Sequence, residues 1–410
     1  MTLRAKIVPS MVAVFLVSTS PAEAGDLASI IPNLFGVGGI TLAPPAVGFS
    51  HVPHFQVSSS QQLTSLNEAL KGQLANIPLP SPASGFTFQF DPVLGTVVRS
   101  TEGFGPIYAD RAETIGKGRF SLGFGYSHFD FNSLDGKNLH DGELQLTFHH
   151  DPIGEKLGLP PFFFERDTIT AAIRADITAD FFLFTGTYGI LDNLDVSVEV
   201  PIIRIDMDVT GTAHINRIGT AAFPTLHRFP NGSDTETVHA SQESTGIGDV
   251  LLRGKYKFFH ETPVSMAVAL DLRVPTGDEN NLQGIGSPRV RPFYIVSAGS
   301  WAGVSPHVNV GFDLGDSSSV DNQFFYKVGL DWAALKWLTF AVDILGQHIL
   351  DNSRVQADGK PAGDDIVDIS LGFKANVWKN VLIEANVLLP LNNTGLRADV
   401  APFVGVEVNF

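Results

Sequence analysis

Two groups of histidines have side chains of the type that bind metal ions. His149, His150 and Asp151 are consecutive, and His51 and His54 are separated by two residues. Imidazole and carboxylate groups ligate zinc, but a metal site needs three or four such groups on one fixed scaffold. Neither group belongs to such a set in the sequence, and solvated loop histidines explain both equally well. We therefore expect no bound metal.

A serine and a histidine close together are the one arrangement that suggests nucleophilic catalysis. His239 and Ser241 are separated by one residue. An interfacial hydrolase would need the serine oxygen within hydrogen-bond reach of the histidine and a third group to orient it. The sequence shows no third group and no phosphate-binding glycine loop, so we expect no catalytic residue and no cofactor. A hydrolase that uses Ser241 remains an alternative.

The elements that carry the remaining charged side chains follow a regular pattern. In residues 368–377, Ile369 and Leu371 alternate with Asp368 and Ser370, and this period of two continues to Val377. Such alternation predicts a β-strand with one apolar face and one polar face. The segment is longer than the roughly five to six residues typical of strands in sandwich folds.

The same alternation recurs from about residue 118 to the end of the chain. The predicted strands are 118–131, 168–188, 194–212, 246–260, 263–275, 287–300, 303–314, 321–333, 336–348, 365–377, 380–390 and 398–410. Their connections are short and long in turn, which is typical of bacterial outer-membrane barrels. We predict an all-β fold, a twelve-stranded antiparallel transmembrane β-barrel over residues 118–410.

Period-two geometry assigns a set of charged and aromatic residues to the barrel interior. The charged residues are Arg174, Arg204, Arg253, Lys255, Arg273, Arg289, Arg291, Asp249 and Asp271, and the aromatic residues are Phe182, Phe184, Phe293, Phe325 and Phe403. We expect the charges to pair across neighbouring strands, since buried charges usually occur in pairs. The phenyl rings indicate either a partly apolar path for a substrate or packing against the N-terminal segment.

Aromatic residues near the short turns support lipid around the barrel. Rings at the headgroup level form girdles in membrane barrels. The predicted girdle consists of Tyr188, Phe258, Trp301, Trp332, Trp337 and Trp378. The last strand ends at Phe410 and resembles the signal that the outer-membrane barrel-assembly machinery recognises. Pro201, beside Ile202 and Ile203, interrupts the alternation, and we expect a bulge there.

The residues before the barrel have a different pattern. Residues 1–24 contain a basic start, an apolar core and a small-residue end, which predict a signal peptide. In residues 25–117, which we expect to form a plug or a periplasmic segment, leucines recur at positions 63, 66, 70 and 74 and predict a helix. Residues 86–90 and 96–99 predict a hairpin.

The composition excludes other classes of protein. The formal net charge is −16 and no basic run is present, so a nucleic acid is not an expected partner. The absence of cysteine excludes disulfide-linked folds and thiolate metal sites. No stretch after the N-terminus has the roughly 18 consecutive apolar residues of a spanning helix.

Four short motifs resemble those of a known family. They are residues 104–118 (FGPIYADRAETIGKG), 188–195 (YGILDNLD), 246–250 (GIGDV) and 274–278 (VPTGD). The chain resembles outer-membrane proteins associated with the phenol-degradation meta pathway, and more distantly the long-chain fatty-acid and aromatic-hydrocarbon transporters of Gram-negative bacteria. The resemblance covers roughly residues 85–410.

The resemblance implies a barrel in the outer membrane of a Gram-negative bacterium, surrounded by lipid and lipopolysaccharide. Its implied function is passive uptake of small, hydrophobic or aromatic solutes, with the N-terminal segment acting as a hatch. A structural or adhesive barrel that is permanently plugged is the alternative.

Overall fold

The structure is a computed structural model that describes residues 26–44, 55–75, 77–91, 96–99, 103–261, 263–316, 320–350 and 363–410. Its helices are α1 (Gln56–Ala75) and the short α2 (Ile153–Lys156), with 3-10 turns at Leu27–Ser29, Phe163–Arg166 and Glu279–Asn281. Its strands are β1 (Phe88–Asp91), β2 (Thr96–Arg99), β3 (Phe120–Leu134), β4 (Lys137–Asn138), β5 (Leu144–His149), β6 (Thr168–Leu191), β7 (Leu194–Asn216), β8 (Thr235–Ile247), β9 (Val250–Glu261), β10 (Val264–Val274), β11 (Arg289–Ala298), β12 (Val304–Gly315), β13 (Gln323–Leu335), β14 (Leu338–Ile349), β15 (Asp365–Trp378), β16 (Val381–Pro390), β17 (Leu396–Ala398) and β18 (Ala401–Asn409).

The strands from β3 onward form one antiparallel sheet that closes on itself. β3 pairs with the last strand, β18, on one side and with β6 on the other, and the remaining neighbours follow each other along the chain. The wall has twelve strand positions. β8 and β9 together occupy one of them, because both pair with β7, each along a different part of it. The predicted twelve-stranded antiparallel barrel is confirmed.

The irregularity predicted at Pro201 lies in the neighbouring strand. Pro201 pairs with Leu183 of β6 in an unbroken register, so the prediction of a bulge in β7 is wrong. On the other side, Glu199 faces Leu251 and Ile202 faces Ile247, which leaves two residues between the pairs on β7 and three on the β8–β9 side. The extra residue therefore belongs to the junction of β8 and β9.

Two strands continue far beyond the length that a membrane requires. β6 and β7 have 24 and 23 residues, whereas a tilted strand crosses a bilayer in roughly 9–11. Residues 235–245, which the predicted strands leave in a long connection, belong to β8 and pair with the far half of β7. Together these strands form a tall lip on one side of the barrel mouth, which we call the lip: β8, with residues 168–183 of β6 and 202–216 of β7.

Below the lip, the outer surface of the wall is hydrocarbon. The exposed large apolar residues include Leu252, Tyr256, Leu270, Leu272, Tyr294, Val296, Val308, Val310, Phe312, Val328, Leu330, Phe340, Val342, Ile344, Leu371, Ile383, Val404 and Val406. The inward positions between them are mainly polar. Because every backbone group of a closed sheet is hydrogen bonded within the wall, this surface is suited to a lipid environment.

The turn regions agree with the predicted aromatic girdle. Trp301, Trp337 and Trp378 are 84, 52 and 69% exposed and lie at the ends of short connections. The turn after Trp301 contains Ala302 and Gly303, both with positive φ, as expected for the tightest hairpin connections. Among the described residues, no helix is both long and apolar enough to cross a membrane.

The N-terminal segment contains the predicted helix and hairpin. α1 buries the four leucines at positions 63, 66, 70 and 74, and β1 pairs with β2. The helix begins at Gln56, so Ser59 lies inside its first turn. The Ser59 hydroxyl donates to the Gln56 carbonyl and accepts from the Ile40 amide. The described part of this segment lies inside the barrel: residues 26–44 and α1 pack against the lip, and residues 77–91, 96–99 and 103–117 lie in the lumen toward the short turns.

Candidate functional site: the plugged lumen

Residues 103–116, which we call the strap, run across the inner wall at right angles to the strands. Successive strands each offer a polar side chain to the strap backbone. Thr339 of β14 accepts from the Phe104 amide, Ser297 of β11 accepts from the Ala112 amide, and Lys255 of β9 donates to the Arg111 and Glu113 carbonyls. Asp195 of β7 then accepts from the Ile115 amide, and Lys327 of β13 donates to the Tyr108 carbonyl. The strap therefore follows the wall from β14 to β7.

Two inward side chains make several bonds each. One oxygen of Asp343 lies within 3.1 to 3.4 Å of the amides of Ile107, Tyr108 and Ala109. The Asn309 side chain both accepts from the Asp110 amide, at 2.7 Å, and donates to the Asp110 carbonyl, at 2.8 Å. Hydrogen bonds to backbone groups hold a segment in place whatever its side chains are, so the strap is fixed by its main chain.

A buried ion pair joins the strap to the wall. Arg253 lies 2.9 and 3.0 Å from the two carboxylate oxygens of Asp110 and forms a second, two-pronged contact with Asp271 at 2.6 and 2.7 Å. Burial alone would raise the pKa of Asp110, but Arg253, Lys327 and Lys255 outweigh it and hold the pKa below its usual value. Asp110 is therefore a carboxylate that neutralises wall charges.

The lip clamps the N-terminal segment through a second buried carboxylate. Asp167, just before β6, accepts hydrogen bonds from the Gly219 and Thr220 amides, the Thr220 hydroxyl and His227. Although burial opposes it, this set of bonds lowers the pKa of Asp167 to about 2. The outer loop held in this way brings His227 against the Phe55 ring just before α1, with ring centroids 5.7 Å apart.

Three of the predicted aromatic residues lie inside the lumen. Phe293 and Phe325 are 5 and 4% exposed and meet edge to face with centroids 5.7 Å apart, beside Ala112 of the strap. The guanidinium of Arg291 lies 4.6 Å above the Phe325 ring. Phe403 is also buried, but it packs in the larger apolar cluster with the N-terminal segment.

Seven of the predicted lumen charges also face inward, and several pair across neighbouring strands as expected. The ion pairs within the wall include Arg253–Asp271, Lys255–Asp195 and Arg289–Asp313. Arg291 lies 3.4 Å from Asp313, and Arg273 lines a lumen cavity. Asp249 accepts from the Gly277 and Ile285 amides at the mouth.

The inward placement of Phe182, Phe184, Arg174 and Arg204 is wrong. Phe184 is 46% exposed on the outer surface against Phe124, and Phe182 lies on the same face. Arg174 and Arg204 are exposed on the outside of the lip. The neighbours of the phenylalanines, at positions 181 and 183, are the residues that point inward.

The backbone parity of β7 explains the error for the charged residues. Odd positions face inward along the whole strand: Asp195 and Glu199 are buried below Pro201, and Ile203 and Ile205 are buried above it. What changes at Pro201 is the medium outside, from lipid to water. In the lip, therefore, apolar residues face inward and charged residues face out.

Three cavities surround residues 77–82, which descend from α1 toward the strap. Ile77 borders all three. One cavity lies against the apolar side chains of Phe181, Ile203 and Leu282, and a second lies against the opposite wall. The third has six charged residues in its lining; its wall residues include Glu199, Arg253, Arg273, Arg291, Asp313, Phe325 and Lys327. We call it the charged cavity.

The groups considered for catalysis or metal binding are not assembled into a site in the described part of the chain. His239 contacts Asp208 through Nε2 at 2.9 Å on the exposed face of the lip, and no hydrogen bond joins it to Ser241. His150 is buried against Phe55, and no group of three potential metal ligands occurs among the described residues. His51 and His54 lie outside the described residues.

The fold and its lumen define a membrane-spanning antiparallel β-barrel that is filled by its own N-terminal segment. Residues 166–395, more than half of the chain, match the family described as "Putative MetA-pathway of phenol degradation", and the chain belongs to this family. No curated protein sequence matches the chain.

Several solved structures are similar to this chain at low sequence identity. An outer membrane channel of Pseudomonas putida F1 is 11% identical with a TM-score of 0.44, covering 74% of this chain and 99% of the other. The toluene transporter TbuX of Ralstonia pickettii is 12% identical with a TM-score of 0.38, covering 72 and 90%. The monoaromatic hydrocarbon channel CymD is 10% identical with a TM-score of 0.39, covering 72 and 89%.

Sequence reasoning missed the contacts between the strap and the wall. The strap was visible only as a motif carrying the family resemblance, because the wall recognises its backbone, which leaves no side-chain pattern. Gly189 offers one signal: a side chain there would overlap the Gly116 carbonyl where the strap ends against the β6–β7 turn.

Proposed function

We propose that this protein is a channel in the outer membrane of a Gram-negative bacterium that admits small hydrophobic or aromatic compounds by passive diffusion. The observation that carries the proposal is the set of three cavities around residues 77–82. They lie between the apolar interior of the lip and the lumen, where Phe293 and Phe325 lie beside the strap. Membership of a family named for phenol degradation supports aromatic compounds as the class of solute.

The proposed path requires little movement of the strap. A solute enters under the lip, passes Ile77, crosses the charged cavity and leaves past the Phe325 ring. The strap is hydrogen bonded to at least five strands, which favours a strap that stays fixed during transport. Any movement that opens the path is therefore confined to the residues before the strap. Residues 77–82 contain three prolines, which limit the conformations of this segment without anchoring it to the wall.

A permanently plugged barrel with a structural role is the second candidate. The same strap bonds favour it, because they close the periplasmic half of the lumen. The two functions differ in one respect: a structural barrel has no effect on solute entry.

Solute entry into cells tests the proposal directly. Initial uptake of radiolabelled toluene and benzyl alcohol is measured in cells with intact lipopolysaccharide, with and without the protein. We expect faster uptake with the protein and no change for a sugar of similar size. Equal uptake of the aromatic compounds with and without the protein would favour the structural role.

A substitution at the junction of the cavities provides the matched test. Ile77→Trp places a large ring at a residue that borders all three cavities, so we expect most of the added uptake to be lost. Leu330→Trp adds the same ring to the lipid-facing surface, where Leu330 is 50% exposed, and should leave uptake unchanged. Both variants must be present in the membrane in equal amounts.

A further inference from the structure

We propose that the charged cavity selects uncharged solutes with a hydroxyl group on a small apolar body, and that Glu199 binds this hydroxyl. The inference rests on the proposed channel function and specifies its solutes: phenols and similar alcohols are preferred to plain hydrocarbons.

Glu199 is the group that requires a partner. Its side chain is 1% exposed and lines the charged cavity, and its Oε1 atom receives no hydrogen bond from any residue in the described part of the chain. A buried carboxylate oxygen without a donor is costly and rare in native proteins. The missing donor has to come from whatever occupies the cavity.

Two other charged residues of the cavity are paired with residues behind its lining. Arg253 is bound to Asp110 and Asp271, and Asp313 is bound to Arg289. None of these groups offers Glu199 a hydrogen bond at Oε1.

The cavity therefore presents an acceptor that lacks a donor beside a guanidinium, that of Arg291, whose Nε makes no hydrogen bond to any described residue. A hydroxyl group can donate one hydrogen bond and accept others, so it suits both kinds of neighbour. A hydrocarbon satisfies neither, and an ionised carboxylate has no proton to donate to Glu199.

The rest of the lining suits an apolar body. Ile77, Leu79, Leu251 and Leu345 border the cavity, together with the ring of Phe325. Arg291 covers one face of this ring, which holds the ring in a fixed orientation. An aromatic ring attached to the hydroxyl would lie against these side chains.

Binding of two matched compounds tests the inference. The full-length protein in detergent is titrated with 4-fluorophenol and with fluorobenzene, and binding is followed by ¹⁹F NMR. We expect 4-fluorophenol to bind about tenfold more tightly, as one hydrogen bond to a charged group implies.

Glu199→Leu should bring the two affinities within about twofold, because it removes the acceptor. It also removes an unsatisfied buried group, so it should not unfold the barrel. Glu199→Gln keeps one acceptor oxygen and should retain part of the preference. Glu243→Leu, on the exposed face of the lip, is the control and should behave as the unmodified protein.

Two results would overturn the inference: equal binding of both compounds by the unmodified protein, or a preference that survives Glu199→Leu. Either would mean that an ordered water alone serves Glu199. If cells still take up aromatic compounds faster with the protein, the channel function stands without this selectivity. If the preference is present but uptake is unchanged, the site stands and the channel function fails.

Discussion

Arg253 of the wall and Asp110 of the strap form an ion pair in which both side chains are almost fully buried, with contacts of 2.9 and 3.0 Å. The pair connects β9 to a segment far from it in sequence. Because Arg253 also binds Asp271, one guanidinium joins two strands and the strap. The strap is thus part of the same charge network as the wall.

Removing the strap's charge should destabilise the protein. Asp110→Asn leaves a buried guanidinium with one carboxylate in place of two, and breaking a buried pair typically costs about 3–5 kcal/mol. We expect a lower midpoint in thermal unfolding of the purified protein, followed by circular dichroism. Glu243→Gln breaks the exposed Arg204–Glu243 pair, which is 2.7 Å long, and should lower the midpoint much less because water screens exposed charges. Similar midpoints for both variants would contradict the assigned role of Asp110.

The same pair predicts the response to acid. Folding lowers the pKa of Asp110 from its usual value of 3.8, so the stability it contributes is fully present above that value. It is lost as the pH falls through the lowered pKa. Melting temperatures of the unmodified protein and of Asp110→Asn should therefore differ at pH 6 and approach each other as the pH is lowered below 3.8. A difference that stays constant as the pH falls below 3.8 would show that Asp110 does not titrate in this way.

The twelve strands could be predicted from the sequence, because alternation over ten or more residues leaves few other structures. The face that each residue occupies could not always be predicted. Alternation gives the period of a strand, but the outer medium decides which face points outward, and that medium changes at Pro201. For Phe182 and Phe184 the cause is simpler: residues 181–184 are all apolar, so the pattern there has no phase.

The strap and the Glu199 site depend on contacts between residues far apart in the chain. Asp343 and Asn309 look like ordinary inward polar residues in the sequence. Their partners are backbone groups of residues 107–110, which no side-chain pattern can indicate.

A disulfide can test whether the strap moves during transport. A Cβ at Gly103 would lie 3.7 Å from that of Ala333 in β13, within the range of natural disulfides, once the Asp331 side chain rotates away. The chain has no cysteine, so Gly103→Cys with Ala333→Cys introduces a single pair of thiols. We expect equal uptake of aromatic compounds under oxidising and reducing conditions. If reduction restores uptake that oxidation abolished, the strap is a moving hatch; each single variant is the control for thiol chemistry.

The paired rings of Phe293 and Phe325 give the last prediction. They close the space between the strap and β10–β13, so Phe293→Ala with Phe325→Ala should open it and raise uptake of bulky aromatic compounds several-fold. Phe312 and Phe324 form a similar edge-to-face pair, with centroids 5.6 Å apart, on the lipid-facing side. Replacing that pair by alanine also removes two rings but opens no space inside, so its uptake should match the unmodified protein. Because truncating a buried phenylalanine costs about 3–5 kcal/mol, the melting temperature of each variant must show that the barrel is folded. If the double variant at Phe293 and Phe325 is folded and its uptake is unchanged, these two rings do not lie on the path of the solute.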